Sequence, residues 1–385
     1  MSNIIIFNRL NETQYGILGF EITTYTVLSV ILSLGVDTNY VRKSRNVSSR
    51  SKSLFNYTII IKVLLIAFSF PIFLIIFLIR KLTIEELFVV FLSYGGRCFF
   101  NLFVAFFSTL NVRWKAGIGD LLREGALLSV IILMQIQDFF LFLFLIALCE
   151  LFGLLILLIL SINSLLTTKG DNLISWKVLF DSSIKLTILQ ILTYSTIYAC
   201  MFFLSNYELG IFTFANSFSG MLGIITMIIA TTVFPHYTSI INFKTWKECI
   251  REVVLHTATL VGMSLLILVV IILIPHISPL KLILTGIGII EEIFIVILIL
   301  AIYYLLTSIV VPIYRFSLVV GWDKEVVLSS FLGMSIQIFS LIIFAKFAFI
   351  AGISLILGMS MNLILLWLLV CVKMKKNNFR FIINQ

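Results

Sequence analysis

LFVVFLSYGGRCFFNLFVAFFS, residues 87–108, is a run of 22 residues with one charge, Arg97, at its eleventh position. As a helix it is about 33 Å long, enough to cross a hydrocarbon core of ~30 Å. Arg97 then lies near the midplane, where inserting a cation costs about 2.5–3.5 kcal/mol on the lenient scale, so the guanidinium must face water or an acid and not lipid. FFLFLFLIALCELFGLLILLIL, residues 139–160, is a second 22-residue run with one charge, Glu150, at its twelfth position. If both helices cross in the same direction, the two charges lie within about 1.5 Å of equal depth. The pair reads as part of a polar interior around which the other spans are arranged. The plainer alternative is an ion pair that only ties two helices together.

The rest of the composition agrees with a chain that lives in lipid. Of 385 residues, 61% are hydrophobic and 12% charged, with a mean hydropathy of +1.16; soluble domains carry about 25% charge. The net charge of +9 follows from where Lys and Arg lie between spans, so nucleic acid is not expected as a partner. Residues 1–15 lack the basic start, apolar middle and small-residue cleavage site of a secretory signal. The five cysteines have no CxxC spacing, which predicts neither disulfides nor a metal site.

Hydropathy predicts an all-α polytopic membrane protein with eleven helices, at approximately 16–36, 55–79, 84–108, 117–136, 139–160, 184–204, 209–233, 253–274, 291–313, 326–345 and 348–372. Assigning the connections alternately to two sides puts Arg42, Lys43, Arg45, Arg50, Lys52, Arg113, Lys115, Lys169, Lys177, Lys185, Lys244, Lys247, Arg251, Arg315, Lys324, Lys373, Lys375, Lys376 and Arg380 on one side. The other side holds only Arg9, Arg80, Lys81, Lys281 and Lys346. The richer side is cytoplasmic by the positive-inside rule, with the C-terminus inside and the N-terminus outside. The expected domains are an N-terminal bundle at 1–160, a polar cytoplasmic linker at 161–183, a C-terminal bundle at 184–372 and a basic cytoplasmic tail at 373–385.

A weak internal repeat at an offset of 194 residues pairs Leu10 with Leu204, Gly16 with Gly210, Ile17 with Ile211, Phe20 with Phe214 and Leu28 with Leu222. Six spans follow the linker and five precede it, and IIIF stands at residues 4–7, so the first half is expected to lack one initial helix.

RLNETQYGILGFEITTYTVLSVILSLGVDTNYVRK, residues 9–43, resembles the segment around the second helix of polysaccharide flippases of the Wzx type. These belong to the multidrug/oligosaccharidyl-lipid/polysaccharide (MOP) exporter superfamily. LSNYELGIFTFANSFSGMLGIITMIIATTVFPHYTS, residues 204–239, resembles the eighth helix of that family. The resemblance implies two helical bundles, six plus six spans where this chain has about five plus six, around a central cavity. It also implies alternating access and, as substrate, an oligosaccharide repeat unit on undecaprenyl diphosphate, for O-antigen, capsule or exopolysaccharide synthesis in a bacterial cytoplasmic membrane. A polysaccharide polymerase and a chain-length regulator are the protein partners it suggests. No cofactor is implied, although coupling to H⁺ or Na⁺ is open, with Glu150 and Glu21 as candidate sites.

Moving such a lipid requires fixed cations for its phosphates, and a planar Arg fork suits two phosphate oxygens. Arg97 is the first candidate for the cavity. Lys62 would add a second cation lower down, or snorkel to the headgroups. The uncharged stretch 125–136 is only twelve residues, about 18 Å of helix, so the turn before it must be submerged. That turn carries Asp120, Arg123 and Glu124 on one helical face. Glu21 reads either as a lumen group or as an interfacial one. The second half has few charges between Leu186 and Phe234, so phosphate binding is expected in the first half and an apolar groove in the second. Enzymatic chemistry is not expected: His236, His256 and His276 are about twenty residues apart near alternating faces. The alternatives are a polysaccharide polymerase acting on the same lipid, or a drug or cation antiporter of the same superfamily.

Overall fold

The computed structural model describes residues 6, 10–32, 36–37, 40, 52–110, 112–134, 138–167, 192, 196–240, 246–273, 291–320, 322–344 and 347–381. These form the helices α1 Glu12–Ile31, α2 Lys52–Arg80, α3 Ile84–Thr109, α4 Arg113–Met134, α5 Phe139–Thr167, α6 Asn206–Ile240, α7 Trp246–Leu273, α8 Glu291–Val320, α9 Asp323–Phe344 and α10 Ala348–Phe381. No strand occurs among the described residues. Of the expected helix 184–204, residues 196–203 are described and helical. Among the described residues, α2, α3, α5, α7, α8, α9 and α10 are long and apolar enough to cross a membrane. Large apolar side chains such as Phe68, Leu78 and Leu266 lie on open faces of these helices, as lipid-facing positions require. The chain is a multi-pass, all-α membrane protein.

Two compact units are present, residues 1–198 and 199–385. The expected linker, 161–183, lies outside the described residues from 168 onward, while α5 runs on to Thr167, past the expected end at 160. In the first unit α3 packs against α1, α2, α4 and α5, and α4 also packs against α5. Its aromatic core joins Phe55 of α2 to Phe103 and Phe106 of α3, with Phe107, Ala116 and Leu157 closing the cluster. In the second unit α8 packs against α6, α7 and α10, and α9 against α10. There the backbones of α9 and α10 touch: a Cβ on Gly333 would come within 2.6 Å of the Gly358 carbonyl, and one on Gly358 within 2.8 Å of the Gly333 carbonyl.

The helix ends are written in the sequence. Asn11 caps α1, its Oδ1 accepting from the Gln14 N–H at 2.8 Å while Gln14 Oε1 accepts from the Asn11 N–H, the reciprocal arrangement of a capping box. Thr83 and Glu86 make the same box at the start of α3, and Asp138 caps α5. Ser205 caps α6 by accepting from the Glu208 N–H. Asn11 with Gln14 and Ser205 with Glu208 stand at the 194-residue offset of the internal repeat, so the likeness extends from apolar identities to the chemistry that starts each helix. Between α2 and α3 the turn is closed by N–H bonds from Lys81 to Leu78 and from Leu82 to Phe77. Lys81 takes φ 56° there, the left-handed position that such a turn requires.

Candidate functional site

The buried charges of the first unit meet where α3, α4 and α5 come together. α4 starts at Arg113, so Arg123 is the eleventh residue of 22 and lies at mid-helix. Its side chain is 10% exposed and that of Glu150 is 8% exposed. Arg123 Nη1 donates to both Glu150 oxygens, at 3.2 and 3.1 Å. Its Nη2 donates to Glu124 Oε1 at 2.8 Å and lies 3.2 Å from Asp120 Oδ1. Asp120 and Glu124 are themselves half exposed, so the cluster opens to its surroundings through these two carboxylates. Tyr25 of α1 adds an O–H bond to Glu150 Oε1 at 3.3 Å.

Arg97 of α3 reaches the same carboxylate only loosely, with Nη1 3.6 Å from Glu150 Oε2. That nitrogen is buried and makes no hydrogen bond among the described residues. The expected pairing of Arg97 with Glu150 is present at 3.6 Å, and Glu150 is held more closely by Arg123, which was not expected as its partner. The cause is steric. Gly153, one turn along α5, leaves room for the Arg123 side chain to lie across the helix. The two guanidinium carbons stand 5.3 Å (Arg97) and 5.2 Å (Arg123) from the Phe100 ring centre, within cation–π range. Phe100 carried no signal that would have marked it in the sequence.

Lys62 is the eleventh residue of α2, and it is neither snorkelling nor a free cation. It is 1% exposed and donates to Asp37 Oδ2 at 2.6 Å. Burial of an ammonium demands such a partner. Asp37 stands five residues before Arg42, the start of the basic loop; its depth relative to Lys62 is the signal that marks it in the sequence.

Glu21 is the tenth residue of the 20 in α1; it is 0% exposed, and neither carboxylate oxygen has a hydrogen-bond partner among the described residues. Nearby, Tyr198 stacks on Phe20 at 5.8 Å and accepts a hydrogen bond from Thr24, while the Arg80 guanidinium sits 4.5 Å from the Phe20 ring centre.

The second unit is built differently. Asn216 accepts from Tyr304 Oη at 2.9 Å, and Gly223 makes room for the Tyr304 ring. Gln337 donates to Cys200 Sγ. His256 meets Tyr237 Oη at 3.2 Å, and His276 lies outside the described residues. Among the described residues Glu208 is the buried acid of this unit. It sits in the first turn of α6 and accepts from the Ala348 N–H at 2.7 Å, at the start of α10. Burial raises its carboxyl above the ordinary range; the Ala348 N–H opposes this and Glu292 adds to it.

A multidrug resistance MATE family transporter of the MOP superfamily, in its outward-facing conformation, superimposes with a TM-score of 0.69 over 97% of this chain and 94% of its own, at 14% identity. The fold is that of MOP superfamily transporters. The lipid II flippase MurJ, in an inward closed conformation, superimposes with a TM-score of 0.60 over 94% of this chain and 85% of its own, at 14% identity. A MOP superfamily transporter from Pyrococcus furiosus matches at 0.60 and 13% identity, over 95% of this chain and 88% of that one. No protein-family model and no curated protein matches the sequence.

Proposed function

We propose that the chain is a flippase that moves an oligosaccharide repeat unit on undecaprenyl diphosphate across the bacterial cytoplasmic membrane by alternating access. The observation that carries this reading is the unequal state of the two central arginines. Arg123 is saturated by three carboxylates, while Arg97 keeps a buried donor without a hydrogen bond. A partly exposed guanidinium with a buried, uncommitted N–H is a receptor for an anion, and a diphosphate offers the oxygens to fill it. Arg123 holds Glu150 in place, and Glu150 balances Arg97 at 3.6 Å until substrate arrives. The similarity in fold to a lipid II flippase supports a lipid-linked substrate. No catalytic step is assigned, and H⁺ or Na⁺ is the candidate driving ion. A polymerase and a chain-length regulator are the partners of such a pathway, and a cytoplasmic C-terminus follows from the charge asymmetry.

A second reading has its own observation. Asp120, Glu124 and Glu150 outnumber Arg97 and Arg123 in the cluster, an acidic balance that suits a drug or cation antiporter of the MATE kind. Deletion of the gene and analysis of the lipid-linked repeat unit separates the readings. Under the flippase reading the unit accumulates on the cytoplasmic leaflet, and this chain restores surface polysaccharide. Accumulation on the outer leaflet instead indicates a polymerase, and an unchanged lipid pool with impaired drug efflux indicates the antiporter.

A further inference from the structure

Among the described residues of the first unit, each buried charge but Glu21 has an opposite charge beside it. Lys62 has Asp37, Arg123 has Glu150, and Arg97 lies next to Glu150 as well. Glu21 has nothing: its carboxyl group is fully buried, and no donor or cation pairs with it among the described residues.

The elements around it do not repair this. α3 packs on α1 and contributes Glu86, a charge of the same sign whose field reaches Glu21. Arg97, deeper on α3, leans to Glu150 of α5, which is itself held by Arg123. Arg80 at the end of α2 is placed over the Phe20 ring. Tyr198 is occupied with Phe20 and Thr24, and Tyr25 with Glu150.

An ionised carboxylate in such a position loses its hydration without compensation. A neutral carboxylic acid avoids most of that, at the expense of binding one proton. A metal ion would need several oxygen ligands converging on it. Among the described residues no three His, Cys, Asp or Glu side chains gather in a way that could hold one.

We infer that Glu21 is a proton-binding site, occupied by a proton in this conformation and separate from the Arg97–Arg123–Glu150 cluster. Its use in driving transport rests on the flippase reading; its proton does not. Infrared spectra of the full-length protein in lipid vesicles test it directly. The wild type at about pH 7 should show the carbonyl stretch of a protonated carboxylic acid that Glu21→Gln lacks, both proteins having the same helix content by circular dichroism. The band should fade as pH is raised. Identical wild-type and Glu21→Gln spectra in that region would mean that Glu21 is ionised, and would overturn the inference. If Glu21→Gln is poorly produced, Glu21→Asp serves: it keeps the acid and should shift the band in frequency, and an unmoved band has the same adverse meaning. Failure of the flippase reading is visible elsewhere, as absence of undecaprenyl diphosphate binding to the wild type, and leaves the infrared result standing.

Discussion

Arg123 lies flat against Gly153: a Cβ at that glycine would stand 3.1 Å from Arg123 Cβ and 3.2 Å from its Cγ and Cδ. The contact fixes the lateral position of the guanidinium that clamps Glu150, so packing on α5 sets the electrostatics of the cluster.

Gly153→Ala tests this relationship. Alanine is favoured over glycine within a helix by about 1 kcal/mol, and the Arg123 stem must yield by a few tenths of an ångström. The two effects oppose each other, so the melting temperature in detergent should change little, while Glu150 is held less tightly and transport falls. A variant with full transport would show that the position of Arg123 is not limiting.

The Lys62–Asp37 pair gives an ordered prediction. Lys62 is 1% exposed and Asp37 18%, so removing the acid strands a cation that has no water, whereas removing the lysine leaves a carboxylate that retains some. Asp37→Leu should therefore cost about 3–5 kcal/mol and Lys62→Met less, with the double variant closer to wild type than Asp37→Leu. Thermal unfolding of the purified proteins measures all three; additive losses would show that the two groups act independently.

Hydropathy located α1 to α10 because long apolar runs mark helices that can enter a bilayer, but it placed several ends short: α5, α6, α8 and α10 run on to Thr167, Ile240, Val320 and Phe381, and α7 starts at Trp246, because polar residues extend a helix beyond its apolar stretch. Partnerships among charges were less legible. Arg97 and Glu150 are isolated in apolar runs and stood out at once, but Arg123 appeared as part of a charged turn because its helix begins ten residues earlier, at Arg113. Which arginine holds Glu150 depends on Gly153, and a glycine in a leucine-rich helix reads as ordinary packing. Glu21 was visible as a charge, yet its lack of a hydrogen-bond partner among the described residues is a property of the surrounding elements and not of α1.

Glu208 supplies a pH test outside the membrane spans. Its carboxyl is raised by burial, so the folded state binds a proton more readily than the unfolded chain. Its contribution is most favourable below the unfolded value, ~4.3, and stability declines as pH rises from there through the raised folded value. Glu208→Gln keeps an acceptor for the Ala348 N–H and should flatten that part of the profile. Melting curves between about pH 4 and pH 7 compare the two, and parallel profiles would contradict the assignment.

Arg97 can be tested without disturbing its neighbours. Exchanging the charges of Arg97 and Glu150 is not a fair test, because a guanidinium at position 150 would face Arg123 where Glu150 now accepts two bonds. Arg97→Lys is milder. It keeps the charge and loses the planar fork, and Glu150 remains neutralised by Arg123, so folding should be preserved. A charge-assisted hydrogen bond contributes about 1.5–3 kcal/mol, so undecaprenyl diphosphate should bind about 10- to 100-fold more weakly. Arg123→Lys should act the other way round, lowering the melting temperature by loosening the grip on Glu150 at 3.1 Å, while the donors of Arg97 remain in place. Binding of undecaprenyl diphosphate to detergent-solubilised protein, measured alongside thermal unfolding, distinguishes the two roles. Unchanged affinity in Arg97→Lys, together with lost affinity but normal stability in Arg123→Lys, would transfer the anion-binding role from Arg97 to Arg123.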